Sequence, residues 1–405
     1  MVDTIEALFT GDKPLFKGLW IEDKWDFDNT NPVIRFSLAN LGVITEGLEQ
    51  GLFNGLRDNA ERLGITLTEK PYDRQFGELI RKVATEKGKV VILIDEYDKP
   101  LIENLENKET LNKIHQVLRN FYSVLKDSDV HIKFLLMTGV TQFSGLSVFS
   151  DLNNLDDITL SNQFGDLVGI TQQELEENFA SEIRKLEKVN PSILEKLKNW
   201  YNGYSWDLKT RVYNPYSIMK FMRTHQFKNY WYATGAPKML LEQLKKKNIF
   251  EIKDIYDAED SLTNLYLDAP SPWPLLFQTG YITLKSLQEN GLYQLGYPNK
   301  EVQSSLQEGL LSIYRGVPLG DSRRELALLK SALENADIEL FRTILDTQFA
   351  SIPYDYWNAD TESIFNIITF ISFRSCGLTA TPEVHTSKGR SDLLVETDKY
   401  IYIII

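Results

Sequence analysis

The sequence contains one cysteine, Cys376, and four histidines among its 405 residues. A single cysteine excludes an internal disulfide, which indicates a reducing, cytoplasmic setting. The histidines, His115, His131, His225 and His385, lie far apart, and neither an H-E-x-x-H motif nor a partner cysteine accompanies them. We therefore predict no zinc site, and we interpret Cys376, on an apolar helical pattern, as a small buried hydrophobe rather than a nucleophile.

Long apolar runs and a basic leader are also lacking. Apolar runs such as Val90 to Ile94 and Phe134 to Met137 are far shorter than the roughly 20 residues that cross a bilayer. The first residues, MVDTIEALF, show no basic segment followed by an apolar stretch. We predict neither a membrane span nor a secretory signal.

Positive charge is in deficit, because 44 Lys and Arg residues face 57 Asp and Glu residues and leave a net charge of −13. This balance argues against a broad surface that coats nucleic acid, since such binding relies on Lys and Arg neutralising phosphates. The contents of 42% hydrophobic, 12% aromatic and 25% charged residues are those of an ordinary globular protein. The length suggests two or three domains.

The first third of the chain alternates short β-branched runs with longer amphipathic stretches. This pattern is typical of βαβ units and predicts an α/β fold with a mostly parallel sheet. Strands are predicted at Pro32–Leu38, Lys89–Ile94 and His131–Thr138. Helices are predicted at Ile44–Leu63, Phe76–Glu86 and Leu111–Leu125.

A helical middle region is predicted from about Thr171. Thr171 and Glu174 form a capping-box pattern at the start of a helix that runs towards Leu186. The segment SPWPLLFQTGYITL is interpreted as a turn that enters a strand near Tyr281. Further helices are predicted at Pro191–Tyr201, Pro215–Thr224, Glu301–Tyr314, Ser322–Leu333 and Thr361–Cys376, the last of them buried, followed by a turn at Ser387–Gly389 and strands at Ser391–Glu396 and Tyr400–Ile405.

The segment VVILIDEYDKP carries the clearest chemical signal. Asp95 and Glu96 follow a buried strand and Thr138 ends the next one, so all three are expected at the sheet edge where ligands of open α/β sheets bind. Nucleotide hydrolysis needs a carboxylate that holds Mg²⁺ and a group that orients the attacking water, and Asp95 and Glu96 suit these roles in that order. The alternative is that the two acids only begin a polar turn and cap the next helix.

Two further features bear on this edge. Asp98 and Lys99 either touch a phosphate or a neighbouring subunit, or begin a helix or form a surface ion pair, and we favour the second interpretation. The sequence contains no G-x-x-x-x-G-K-[ST] phosphate-binding motif.

Ten segments resemble, in order, those of a known family. They are PLFKGLWI, LIDEYDKPLI, FLLMTGVTQFS, FSDLNNLDDITL, WYNGYSW, VYNPYSIM, NYWYATGAPKML, LLFQTGYITL, YPNKEV and GRSDLLVETDKYIYI. They resemble the AAA-ATPase-like proteins that carry a C-terminal PD-(D/E)XK nuclease-like domain. The resemblance implies a P-loop-NTPase-like core at 1–168, a mainly helical region at 169–298, and a helical lead-in with a partial nuclease-like α/β domain at 299–405.

The resemblance also implies functional residues in the first domain. It implies ATP and Mg²⁺ as cofactors, with Asp95 as the Mg²⁺ partner of a Walker B segment and Glu96 as the water-orienting residue. Thr138 resembles the sensor position on the neighbouring strand. Family members begin with a phosphate-binding loop, and Met1 falls inside the helix that follows it, so we expect the sheet to lack its phosphate-loop strand.

At the other end, Asp392 in GRSD resembles the metal-binding Asp of the nuclease-like site. The family has a Glu-x-Lys on the next strand, where this chain ends in YIYIII, so we expect Ile405 to stand at the Glu position. Glu362 is a candidate for the upstream acidic residue of that site. Glu383 is either a site carboxylate or a polar residue at the edge of a hairpin.

Two functions follow from these observations. The first is a fragment of an ATP-hydrolysing protein coupled to a metal-dependent nuclease that contacts nucleic acid through its C-terminal domain. The second is a catalytically silent interaction or remnant protein that retains the fold; self-association is compatible with either. The aromatic segment WYNGYSW, with Arg211 and Tyr213, either stacks on single-stranded bases or forms a structural cluster around Gly203.

Overall fold

A computed structural model describes residues 1–40, 47–105, 107–141, 155–231, 238–265, 271–352, 361–386 and 389–404. The chain forms two compact units. The first contains Met1–Asp157 and Asp260–Thr279, and the second contains Ile158–Glu259 and Gly280–Ile405. The division into three domains at 168 and 298 stays a prediction.

The first unit is built on a three-stranded parallel sheet, which confirms the predicted α/β class. Its strands are β1 (Val33–Ser37), β2 (Val90–Asp95) and β3 (Ile132–Met137), in that spatial order. The three predicted strands agree with these bounds to within one or two residues. The central strand β2 is apolar and buried from Val90 to Ile94 because helices or chain segments cover both of its faces.

Among the described residues, five α-helices before the sheet's last strand complete this layer. They are α1 (Val2–Thr10), α2 (Leu48–Arg62), α3 (Tyr72–Lys87), α4 (Lys99–Ile102) and α5 (Lys108–Asp127). Alternate residues of each strand point to opposite faces of the sheet. On one face Phe36 meets Phe76 and Phe121, whose rings stack 4.4 Å apart. On the other face Val2 and Phe9 of α1 form a core with β1 and β2.

The second unit contains most of the remaining helices. They are α6 (Gln172–Asn178), α7 (Ala180–Val189), α8 (Ile193–Tyr201), α9 (Pro215–Thr224), α10 (Lys238–Lys246), α13 (Lys300–Arg315), α14 (Leu319–Glu334), α15 (Ile338–Ala350) and α16 (Thr361–Ser375). Helix α11 (Glu259–Thr263) begins at Glu259, the last residue of the second unit's first segment. Helix α12 (Pro272–Gln278) belongs to the first unit. The prediction that α16 is buried is confirmed by Ile368, Ile371 and Phe373, which are fully buried.

In the part of the second unit that the structure describes, three small antiparallel sheets accompany these helices. Their strands are β4 (Ile170–Thr171), β5 (Asn202–Tyr204), β6 (Val212–Tyr213), β7 (Ile255–Asp257), β8 (Thr283–Leu287), β9 (Tyr293–Gly296), β10 (Thr379–Thr386), β11 (Gly389–Glu396) and β12 (Ile401–Ile404). The sheet orders are β4-β6-β5, β7-β9-β8 and β10-β11-β12. Strands β11 and β12 match the two predicted C-terminal strands, and residues 387–388 of the predicted turn lie outside the described part.

The structure corrects two local predictions. The capping box at Thr171 and Glu174 is present, but the helix ends at Asn178 and a second one begins after Phe179, whose φ of −113° leaves the helical range. The segment interpreted as a turn before Tyr281 contains the helix α12. Its prolines, Pro272 and Pro274, stand in the first turn, where an N–H would have no helical partner, so they do not prevent the helix.

The sequence patterns also gave no sign of several elements. The short strands β4 to β7, the strand β10 and the helix α15 were not predicted. Two- and three-residue strands are too short to show a period in the sequence. The middle region therefore contains short strands as well as helices.

Candidate functional site

The carboxyl ends of β2 and β3 bring the predicted acidic and hydroxyl residues together. The backbone N–H of Thr138 donates to the carbonyl of Ile94 at 2.9 Å, and that of Tyr97 donates to the carbonyl of Thr138 at 3.0 Å. These two bonds extend the pairing of the parallel strands one step beyond the sheet. They hold the turn after Asp95 against the end of β3.

Asp95 and Thr138 are in direct contact. The Thr138 hydroxyl donates a hydrogen bond to Oδ1 of Asp95, and both side chains are half-buried. The predicted meeting of these residues at one sheet edge is therefore present in the structure. Their catalytic and metal-binding roles stay predictions.

Glu96 begins a tight turn. Its φ of 52° lies in the left-handed region, which costs a residue with a side chain about 1 kcal/mol. The carbonyl of Glu96 accepts the N–H of Lys99 at 3.0 Å, and the N–H of Tyr97, the residue after Glu96, donates to the carbonyl of Thr138. Bonds on both sides of the residue thus maintain the unusual conformation, and the half-exposed carboxylate remains at the strand end.

Asp98 has a role that the sequence analysis did not identify. Its side chain is fully buried and accepts hydrogen bonds from the backbone of Val140 and from both the backbone and the hydroxyl of Thr141. Burial raises the pKa of Asp98, and these hydrogen bonds offset part of that rise. Asp98 precedes the short helix α4, in agreement with the interpretation that it begins a helix, but the alternative of a surface ion pair is wrong for Asp98 because its side chain is buried.

Lys99 forms a surface ion pair, as the favoured interpretation of this residue predicted. Its ammonium lies 3.6 Å from the Glu103 carboxylate, and both side chains are about two-fifths exposed. This is a surface pair between residues four apart in a helix, which contributes little to stability.

The strand end offers ligands of the kind that Mg²⁺ uses. In the described part of the chain, no three His, Cys, Asp or Glu side chains are grouped closely enough to hold a metal. Protein-bound Mg²⁺ needs only one or two carboxylates, because water and substrate phosphates complete its shell. Thr138 contacts Oδ1 of Asp95, so Oδ2 of Asp95 and the Glu96 carboxylate are the oxygens that fit such an ion.

The C-terminal candidates lie in the second unit. Asp392 is half-buried on β11, between Ser391 and the buried Leu393. Leu393 pairs with Ile404, so the neighbouring position on β12 falls to residue 405, outside the described part. Glu362 belongs to the first turn of α16 and Glu383 to β10, but neither side chain is among those that the structure describes.

The aromatic segment around Gly203 contains buried rings. Tyr201 and Tyr213 are fully buried, and the guanidinium of Arg211 donates to the carbonyl of Leu284 at 2.9 Å. Gly203 itself allows close backbone contact, because a side chain there would meet the carbonyl oxygen of Pro298 at 2.1 Å. Buried rings cannot stack on nucleic-acid bases, which favours the structural alternative.

Cys376 also matches its expected role. Its thiol is buried, donates to the carbonyl of Leu326 at 3.2 Å, and has its pKa raised to about 12 by burial. A thiol of this kind is protonated at neutral pH and is a poor nucleophile.

Comparison with known proteins identifies a family for the first part of the chain. Residues 1–149 match the family model described as a predicted AAA-ATPase. The chain is 36% identical over 414 residues to an uncharacterized protein in the vnfD 5′ region of Azotobacter chroococcum mcd 1, in an alignment that covers 99% of this chain and 78% of that protein. The chain therefore belongs to the AAA-ATPase-like family.

The same comparisons limit the remaining predictions. Neither match supports the predicted nuclease-like C-terminal domain. No solved structure matches the chain. Within its described residues, no helix combines the length and the apolar character that crossing a membrane requires.

Proposed function

We propose that the first unit binds a nucleoside triphosphate with Mg²⁺ at the edge formed by Asp95, Glu96 and Thr138, and hydrolyses it. The observation that carries this proposal is the hydrogen bond from Thr138 to Asp95 across two parallel strand ends, beside the Glu96 turn. This edge lies within the residues that match the AAA-ATPase family. It is also where ligands of open α/β sheets bind.

Each residue has a distinct task in this proposal. Thr138 fixes the rotamer of Asp95, whose Oδ2 holds the metal directly or through water. Glu96 accepts a hydrogen bond from the attacking water and orients it. When bound, Mg²⁺ would neutralise charge on the phosphate oxygens.

Calorimetry with Mg²⁺-ATP and an assay of phosphate release test the proposal on the 405-residue chain. Asp95→Asn keeps an oxygen for the Thr138 hydroxyl but loses the charge, so binding should weaken and turnover should fall by about 100-fold or more. Glu96→Gln should lose turnover by a similar factor while it still binds nucleotide.

Asp127→Asn is the matched control. Asp127 is an exposed carboxylate at the end of α5, before β3 begins, and its loss should leave both measurements unchanged. Equal turnover in Asp95→Asn and the wild type would contradict the site. A well-folded wild type that binds no nucleotide would instead support the catalytically silent alternative.

Nucleic-acid cleavage at Asp392 is a separate proposal, supported by the sequence resemblance of GRSD and by the half-buried place of Asp392 on β11. If it holds, Asp392→Ala should remove Mg²⁺-dependent cleavage of DNA or RNA without unfolding the protein. Cleavage that persists in this variant at equal purity would contradict the proposed nuclease site.

A further inference from the structure

A second set of contacts ties the two strand ends together behind the candidate site. Oδ2 of Asp98 accepts the N–H of Val140 at 3.0 Å, the N–H of Thr141 at 2.5 Å and the Thr141 hydroxyl at 2.7 Å. Asp98 follows β2 by three residues, and its donors follow β3 by three and four. The carboxylate therefore joins the two segments that carry Glu96 and Thr138.

Tyr97 strengthens the same junction. Its hydroxyl donates to the carbonyl of Thr141 at 2.5 Å, and its own carbonyl accepts the hydroxyl of Tyr122 at 3.2 Å. Tyr122 belongs to α5 and is fully buried. The turn after β2 is thus fixed both to the segment after β3 and to a core helix.

Gly139 makes this close approach feasible. A Cβ at this position would lie 2.6 Å from Oδ1 of Asp98 and 2.6 Å from the Tyr97 ring. Both distances are far below ordinary contact, so any side chain at 139 would push the two segments apart.

We propose that Asp98 is a positioning residue, which holds residues 139–141 against the acidic turn and so keeps Thr138 beside Asp95 and Glu96. The inference rests on the proposed hydrolytic function. Asp98 is buried and cannot reach a nucleotide itself, so it acts through the placement of the three residues at the edge. Displacements of about 1 Å among reacting groups lower rates strongly, which is why such a contact affects turnover.

A purely structural role for Asp98 makes a different prediction. The protein would become less stable without it, but the folded molecules would hydrolyse nucleotide at the normal rate. The test therefore needs a control residue that provides similar stabilisation away from the site.

Glu78 is that control. It is a carboxylate of the same unit, 3% exposed, and it also accepts two consecutive backbone N–H groups and a threonine hydroxyl, here from Thr68 and Glu69. It stands in the middle of α3, and its hydrogen bonds and its ion pair go to Thr68, Glu69 and Lys82, away from the acidic turn.

The experiment compares kcat and KM for Mg²⁺-ATP hydrolysis in Asp98→Asn and Glu78→Gln, each corrected for the folded fraction. Asp98→Asn should lower kcat by about tenfold or more and change KM by less than about threefold, because only the placement of the reacting groups is lost. Glu78→Gln should keep kcat within about twofold of the wild type.

A milder pair covers the case in which Asp98→Asn does not fold. Thr141→Val removes only the hydroxyl that Asp98 accepts, and Thr141→Ser keeps it. Thr141→Val should lower kcat several-fold, whereas Thr141→Ser should retain the wild-type value.

The outcomes are distinct. A wild type without hydrolysis overturns the proposed function and this inference with it. An active wild type in which Asp98→Asn and Thr141→Val keep normal kcat, or in which Glu78→Gln loses as much as Asp98→Asn, overturns the positioning role alone.

Discussion

Two buried carboxylates of the first unit, Asp98 and Glu78, receive almost the same hydrogen bonds and yet have opposite shifts in pKa. Each accepts two consecutive backbone N–H groups and the hydroxyl of a threonine. Burial raises the pKa of Asp98 despite these bonds. Burial acts on Glu78 in the same direction, but hydrogen bonds from Lys82, Thr68 and Glu69 outweigh it and lower its pKa to about 2.

A cation beside Glu78 and the deeper burial of Asp98 together account for this difference. Lys82 stands four residues after Glu78 in the same helix and places its ammonium 2.8 Å from the carboxylate. In the described part of the chain, no lysine or arginine forms an ion pair with Asp98. A neighbouring positive charge adds to neutral donors in favouring the ionised form of a carboxylate, whereas deep burial opposes both.

The two regions also differ in how easily water could replace the carboxylate. Thr68 and Glu69, the donors to Glu78, are exposed residues. Thr141, the principal donor to Asp98, is 3% exposed. Loss of Glu78 therefore lets its donors turn to solvent, whereas loss of Asp98 leaves the two buried donors of Thr141 without an acceptor.

Truncation of each carboxylate gives the largest expected effect. Asp98→Ala should lower the free energy of unfolding by about 3 kcal/mol, and Glu78→Ala by about 2 kcal/mol. The loss is larger for Asp98→Ala because only this variant leaves buried polar groups without a hydrogen-bond partner. Urea unfolding followed by circular dichroism measures both values. A larger loss for Glu78→Ala than for Asp98→Ala would reverse the comparison.

The dependence of stability on pH should show a smaller but sharper contrast. Glu78 stabilises the fold fully above its ordinary pKa of 4.5, and this contribution is lost as the pH falls through about 2. Asp98, with a raised pKa, contributes most below its ordinary value of 3.8 and loses that contribution as the pH rises through its folded value.

Unfolding measured between about pH 2 and pH 7 therefore separates the two sites. In a plot of the free energy of unfolding against pH, Glu78→Gln should flatten the acid limb, which is the fall in stability at low pH. Lys82→Met should move that limb to higher pH without removing it. Asp98→Asn should leave the acid limb in place. An acid limb that is unaffected by Glu78→Gln would contradict the assigned direction of its pKa shift.

The sequence was sufficient to predict the sheet and the meeting of Asp95 with Thr138. Uninterrupted apolar runs such as Val90 to Ile94 define buried parallel strands, and the carboxyl ends of such strands share one edge. Strand order alone was therefore enough to predict that Asp95 and Thr138 lie at the same edge.

Asp98 could not be predicted in the same way. A charged residue after a strand is usually exposed, and the donors that bury Asp98 lie 42 and 43 residues further along the chain. The available signal was Gly139 directly after Thr138, since a glycine there indicates close approach of another segment. Glu78 was hidden for a related reason, because its four-residue spacing to Lys82 is that of an ordinary surface pair.

The place of β2 between β1 and β3 has a consequence for local opening of the chain. Both edges of β2 are paired and its apolar residues are completely buried, so its backbone amides should exchange with solvent deuterium only when the whole unit unfolds. Asp95 is the last residue of that strand. The candidate site is thus expected to be anchored to the segment of its unit that exchanges most slowly.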